Sequence, residues 1–197
     1  MNREELEALL IELDNALVKA FPGPETISVF VVGGACLLFS GISTRPTRDI
    51  DVIITDLMGT GTASLVYNLN ETTGKIRKII EKIGRNHGLR GNDKWFLNDD
   101  CASFLIEMGS IPPSRLLRSY QKLHLYIPDD LSYILACKLA AGRADKDYGD
   151  IEVLCELFNI SARTQAQEVV DRFFHNHAFL EDMCDLSRNL DEIFGKD

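Results

Sequence analysis

A chain of 197 residues suffices for one domain, or one domain with a helical annex, and buries about 70% of the surface of its unfolded form without a covalent staple. Its 45% hydrophobic and 26% charged content excludes a disordered chain. The 21 basic and 30 acidic side chains sum to −9, which argues against broad nonspecific nucleic-acid binding, a property carried by Lys and Arg on phosphates, yet leaves room for a local phosphate site.

The segment Met1-Asn2-Arg3-Glu4-Glu5 has no basic stretch leading into an apolar core, and no window approaches the ~18 apolar residues of a membrane span. A soluble, cytoplasmic protein with no membrane partner is expected. Cys36, Cys101, Cys137, Cys155 and Cys184 contain no CxxC pair, and three of them lie in apolar runs, which points to reduced, buried thiols.

Residues 3–20 place Leu6, Leu9, Leu10, Leu13 and Leu17 on one stripe opposite Glu and Asp, which is helical spacing. Phe21-Pro22-Gly23-Pro24 ends that helix. Ile27 to Val32 is short, β-branched and apolar, as a buried strand is. Gly33-Gly34 interrupts it, and Ala35-Cys36-Leu37-Leu38-Phe39 opens a helix. A polar loop to Arg48 leads into a second strand, Asp49 to Ile54. Residues 59–74 read as a loop, and Ile76, Ile79, Ile80 and Ile83 carry a helix over 75–87. Ala102 to Glu107 and Lys122 to Ile127 are the remaining strand candidates. After Pro128 the strand signals stop, and helices are expected at about 129–142, 145–158, 163–174 and 178–194. The expected fold is α+β: a mixed sheet flanked by helices over residues 1–128, with a helical C-terminal part over 129–197 packed on it.

The chemistry concentrates between Val29 and Ile54. Two glycines at a strand end, directly before a helix, offer bare backbone amides at a positive helix terminus, a place for phosphate oxygens. Asp49 and Asp51 are two apart on the expected strand, so both carboxylates would share one face while Ile50, Val52 and Ile54 pack on the other. Like charges this close favour a divalent cation, and Mg²⁺ binds carboxylates together with substrate phosphates. Neither Gly-x-Gly-x-x-Gly nor Gly-Lys-Ser/Thr is present, which argues against a dinucleotide fold or a P-loop. Read without a ligand, the glycines are a tight turn and Asp-x-Asp is the wet face of an edge strand.

A second cluster, Lys138, Arg143, Lys146, Asp147 and Asp150, lies at a junction of two expected helices. Lys146 and Asp150 form an i,i+4 pair, and Asp147 shares a face with Asp150. Taken alone, the cluster is either a solvated, salt-bridged surface or part of a site. His175-x-His177 lacks companion ligands at zinc spacing and reads as plain surface.

Gly33-Gly34, fourteen residues, and then Asp49-Ile50-Asp51-Val52 resemble the signature of the DNA polymerase β-type nucleotidyltransferase superfamily. Arg45-Pro46-Thr47-Arg48-Asp49-Ile50-Asp51 is similar to the R-x-T-x-D-I-D of its small bacterial branch, which includes abortive-infection and toxin–antitoxin proteins. His87-Gly88-Leu89 with Trp95 to Asp99, and Leu135 to Ile151, resemble further blocks of that branch, so the likeness spans residues 27–155. The resemblance implies a minimal nucleotidyltransferase core and Mg²⁺- or Mn²⁺-dependent transfer of a nucleotidyl group from a nucleoside triphosphate (NTP) to an acceptor hydroxyl on RNA, protein or a small molecule. It implies Asp49 and Asp51 as metal ligands and catalytic residues, with Glu107, delivered by the expected third strand, as a third carboxylate. Gly33, Gly34, Arg45, Arg48, Lys138, Arg143 and Asp147 would bind nucleotide, with Lys138 on phosphates. A cognate antitoxin is the implied protein partner. The alternative is a catalytically degenerate module that keeps the fold and binds nucleotide or a protein.

Overall fold

The computed structural model describes residues 1–54, 71–142 and 144–195. The loop expected at 59–74 lies, as far as residue 70, outside the described residues, as does Arg143. Helix α1 spans Arg3–Ala20 and opens with a capping box, in which the Asn2 side chain accepts from the Glu5 N–H and the Glu5 carboxylate accepts from the Asn2 N–H. Its leucine stripe is buried, as the spacing requires. Strand β1 (Ile27–Val31), helix α2 (Gly33–Phe39) and strand β2 (Ile50–Ile54) follow. Helix α3 spans Glu71–Asn86, one turn longer at its start than expected, and buries Ile76, Ile80 and Ile83. A 3₁₀ turn (Gly91–Lys94) leads to the two-residue strand β3 (Leu97–Asn98).

The segment expected to be the third strand is helix α4 (Ala102–Met108). A run this short and apolar suits either state, and packing decides it. Ala102, Leu105 and Met108, three apart, are buried, whereas Ser103 and Glu107 are exposed, a helical rather than alternating pattern. The sheet is instead completed by β4 (Ser114–Ser119), which the sequence did not announce, and β5 (Leu123–Pro128). Ser114-Arg115-Leu116-Leu117-Arg118-Ser119 has no β-branched residue and no clean alternation. It becomes a strand by antiparallel pairing along β5, with an irregularity between Leu116 and Arg118.

The chain forms two compact units. The first comprises Met1–Ala102 and Pro113–Pro128 and holds the mixed sheet in the order β3-β2-β1-β5-β4. β1 is central, antiparallel to β2 (Val31 opposite Val52) and parallel to β5 (Ile27 opposite Leu123). Val29, Phe30 and Val31 are all buried, so both sheet faces are covered there. Asp14 of α1 is buried and accepts from the backbone N–H groups of Gln121 (3.2 Å), Lys122 (2.7 Å) and Leu123 (2.8 Å), which fixes the start of β5. The buried Lys122 ammonium donates to the carbonyls of Gly23 and Glu25 and ties down the loop before β1.

The second unit comprises Ser103–Pro112 and Asp129–Asp197, so it takes in residues 103–112 as well as the C-terminal part. It contains most of α4 and the helices α5 (Ser132–Ala141), α6 (Ala144–Phe158), α7 (Arg163–Phe173), α8 (His177–Cys184) and α9 (Leu186–Phe194). The helix expected over 178–194 is thus two, divided at Asp185, whose φ of 52° puts it in the left-handed region that Asp tolerates better than most residues. Among the described residues no helix is long and apolar enough to cross a membrane.

Candidate functional site

The turn from β1 into α2 is built around Gly33. Val32 is extended and donates its N–H to the Asp51 carbonyl (2.9 Å), which carries the β1–β2 ladder one residue beyond the Val31–Val52 pair. Gly33 then takes φ = +64°, a conformation open to glycine and costly for residues with a Cβ. The Asp51 carboxylate occupies the space that a side chain would need: its Oδ2 lies 2.7 Å from where a Cβ on Gly33 would sit. Gly34 differs. The nearest atoms to its Cβ position are Thr47 Oγ1 at 3.5 Å and an Arg45 guanidinium nitrogen at 4.0 Å.

The loop before β2 therefore folds back over the glycines. The Thr47 hydroxyl donates to the Asp49 carbonyl (3.1 Å), its backbone N–H donates to the Met1 carbonyl (3.0 Å), and the Arg45 N–H donates to the Ser43 hydroxyl (3.1 Å). Gly33, Gly34, Arg45 and Asp51, singled out from sequence, come together at one end of β1 and β2. Thr47 joins them. Its signal was its place in the Arg-x-Thr-x-Asp-Ile-Asp run.

Asp49 does not lie on the strand. β2 begins at Ile50, and Asp49 occupies the bend before it, so alternation along a strand gives no shared face for the two carboxylates. Both are half-buried. Ile50 and Val52 are fully buried as expected, but Ile54 is only half-buried while Ile53 is buried at 2% exposure, because both faces of the sheet are covered. Arg48 is exposed.

Glu107 is an exposed residue of helix α4, not a strand residue, and its carbonyl accepts from the Asn176 side-chain amide (3.2 Å). Lys138 is 5% exposed, and its ammonium bonds Asp147 and Asp150, each at 2.7 Å and each buried. Lys138, Asp147 and Asp150 are thus a buried ion group joining α5 to α6, not a wet surface, and the side chains of Arg143 and Lys146 lie outside the described residues. His87 Nε2 meets Glu12 at 2.6 Å and His177 lies 3.7 Å from Asp171, so these two histidines each have a carboxylate beside them.

The donor set at Asp49 and Asp51 suits Mg²⁺, an ion held through one or two carboxylates and completed by substrate phosphates rather than by an all-protein cage. Among the described residues no group of three or more His, Cys, Asp and Glu side chains gathers as a metal centre. Nearby, the Cys36 thiol on α2 is pushed up to about 12 by burial, against the opposing influences of Ser40 and the Arg115 charge, and is not a nucleophile at neutral pH. Comparison with family models, curated proteins and solved structures finds no match to this chain. Fold and site together define a mixed α/β protein with a glycine–carboxylate junction between adjacent strands.

Proposed function

We propose that the chain is a nucleotidyltransferase that takes an NTP and a divalent cation and transfers the nucleotidyl group to an acceptor hydroxyl. The observation that supports this reading is the junction itself: an acidic side chain pressed against a left-handed glycine at the start of a helix, with a threonine hydroxyl and an arginine over the next glycine. A structural turn requires the glycine, but it does not require a carboxylate in the space that the glycine leaves open.

In this reading Asp49 and Asp51 hold Mg²⁺ or Mn²⁺, which supplies neutralisation of phosphate charge when bound. Gly33 and Gly34 offer their backbone N–H groups to the triphosphate, and Arg45 adds a positive charge beside it. The acceptor oxygen forms a bond to the α-phosphorus, the bond from that phosphorus to the β-phosphate oxygen breaks, and pyrophosphate leaves with the electron pair while the hydroxyl proton passes to solvent. Positioning and charge are most of what such a step asks of a protein. The reading assigns phosphate contact to Gly33, Gly34 and Arg45 and leaves Lys138 to its buried carboxylates.

The test is incubation of the purified chain with NTPs labelled on the α-phosphate, Mg²⁺ and cell extract as acceptor, beside Asp51→Asn and Asp49→Asn. Label transfer that each change lowers by at least 100-fold supports the enzyme. Binding of nucleotide with no transfer by the unaltered chain supports the degenerate module. Transfer that persists in both variants removes the basis of the reading.

A further inference from the structure

Residues 75–94 hold seven basic and two acidic side chains, a surplus of five in a chain whose total is −9. The structure arranges four of them in a row. Lys75, Lys78, Lys82 and Arg85 follow one another at spacings of three, four and three on α3, which is the repeat of a single helix face, and all four are exposed. The row runs about 15 Å along the helix. The opposite face, Ile76, Ile80 and Ile83, is buried, so the row cannot roll away from solvent.

Neutralisation within the row is partial and local. Lys75 pairs with Glu71 (2.7 Å) and Arg85 with Glu81 (2.5 Å), both i,i+4 contacts at the surface, while Glu81 also meets Lys94 (2.9 Å). Lys78 and Lys82, the middle pair, have no ion pair among the described residues. Exposed pairs of this kind contribute little and exchange readily for another anion.

We propose that this face of α3 docks on the phosphate backbone of a nucleic-acid duplex. A regular line of cations on a rigid helix matches a regular line of phosphates, and a duplex supplies about one negative charge per 1.7 Å of axis. The segment from Glu71 to Asn86 has no aromatic residue on which an unpaired base could stack, so contact is with the backbone and not with bases. An anionic membrane fits poorly, because a helix that lies in a bilayer interface inserts its apolar face, and here that face is in the core. The acidic remainder of the chain confines binding to this row, consistent with the absence of broad nucleic-acid affinity expected from the overall charge.

The experiment is fluorescence anisotropy of the full chain with a labelled 20-base-pair DNA hairpin from 50 to 200 mM salt, with no NTP present, so that it reads binding independently of any transfer at Asp51. Four contacts predict a slope of log K against log salt near −3.6 and a loss of roughly 100-fold across that range. In Lys78→Gln/Lys82→Gln the slope becomes shallower by about 1.8 and affinity at 50 mM falls more than tenfold. Lys19→Gln/Arg188→Gln, which removes two exposed cations elsewhere, leaves both unchanged. Equal binding by the Lys78/Lys82 variant and the parent, equal loss in the Lys19/Arg188 control, displacement of the hairpin by polyglutamate at matched charge, or capture by phosphatidylserine vesicles without hairpin binding would each overturn the proposal. All substitutions are at exposed positions, so each variant's urea midpoint is expected to match the parent's.

Discussion

Gly33 and Gly34 are adjacent, yet alanine at each should move stability in opposite directions. At Gly33 the alanine meets φ = +64°, costing about 1–2 kcal/mol for an L residue. Its Cβ would also lie 2.7 Å from Asp51 Oδ2, so the carboxylate must leave its rotamer at a further cost of about 1 kcal/mol. Reduced freedom of the unfolded chain returns about 0.4–1 kcal/mol, which leaves a net loss near 2 kcal/mol. At Gly34 the nearest atom is at 3.5 Å, an ordinary contact, and the residue is already helical, so alanine gains about 0.5–1 kcal/mol. The two variants should therefore differ by about 3 kcal/mol. Urea unfolding followed by Trp95 fluorescence is suited to the measurement, because this single tryptophan belongs to the sheet-containing unit and lies beneath the Lys94 ammonium. Nucleotide transfer should fall in Gly33→Ala, which displaces Asp51, and persist in Gly34→Ala. A Gly33→Ala protein as stable as Gly34→Ala would refute the account of this junction.

Removing the lysine of the buried ion group, as in Lys138→Met, takes its cation from two buried carboxylates and should cost up to about 3–5 kcal/mol, read as loss of far-ultraviolet ellipticity at lower urea; Lys138→Met/Asp147→Leu/Asp150→Leu should recover part of it. Asp14→Ala deprives three backbone N–H groups of their acceptor and should cost about 3 kcal/mol by Trp95 fluorescence, whereas Glu12→Ala, one turn-edge away on the exposed side, should stay near neutral. Burial raises the Cys36 thiol to about 12 and Cys155 to about 11, so folding favours the protonated form. That contribution is complete below the ordinary thiol range near 9 and is lost as pH rises towards those folded values; the unfolding constant should therefore rise more steeply with alkaline pH in the parent than in Cys36→Ala, by roughly tenfold per pH unit. Equal slopes would place Cys36 in water.

What could be read from the residues followed from locality. The α1 helix was legible because its leucines repeat along one stripe, and β1 because a β-branched run ends at a glycine pair. The junction was legible because the constraint is local: a glycine that must turn and an acidic residue on the next strand. Asp49 was misplaced by one residue, enough to remove its strand face, since alternation reverses with every step. The strand expected over Ala102–Glu107 is helix α4, because so short a run cannot show a period clearly, and the spacing of Ala102, Leu105 and Met108 becomes decisive only once burial is known. β4 was invisible because its structure is conferred by its partner. The sequence gathers Lys138, Asp147 and Asp150 in one cluster but pairs Asp150 with Lys146 and gives Lys138 to phosphates; its buried bonds to both carboxylates are not legible, because charged side chains in sequence look like solvent-facing ones. The row on α3 is hidden for a related reason: a chain total of −9 conceals a local excess of the other sign.

The central position of β1 has a consequence for how the protein is made. Its parallel neighbour is β5, so Ile27 must wait for Leu123 to emerge from the ribosome, and Asp14 waits for the same segment. Until then a nascent chain already carrying α1, β1 and β2 exposes one flank of its most apolar strand. Distant pairing of this sort slows folding and prolongs the interval in which sticky intermediates meet one another. Truncations that stop short of residue 128 should accordingly accumulate as insoluble material, whereas those that remove only α8 and α9 leave the sheet with every strand it needs.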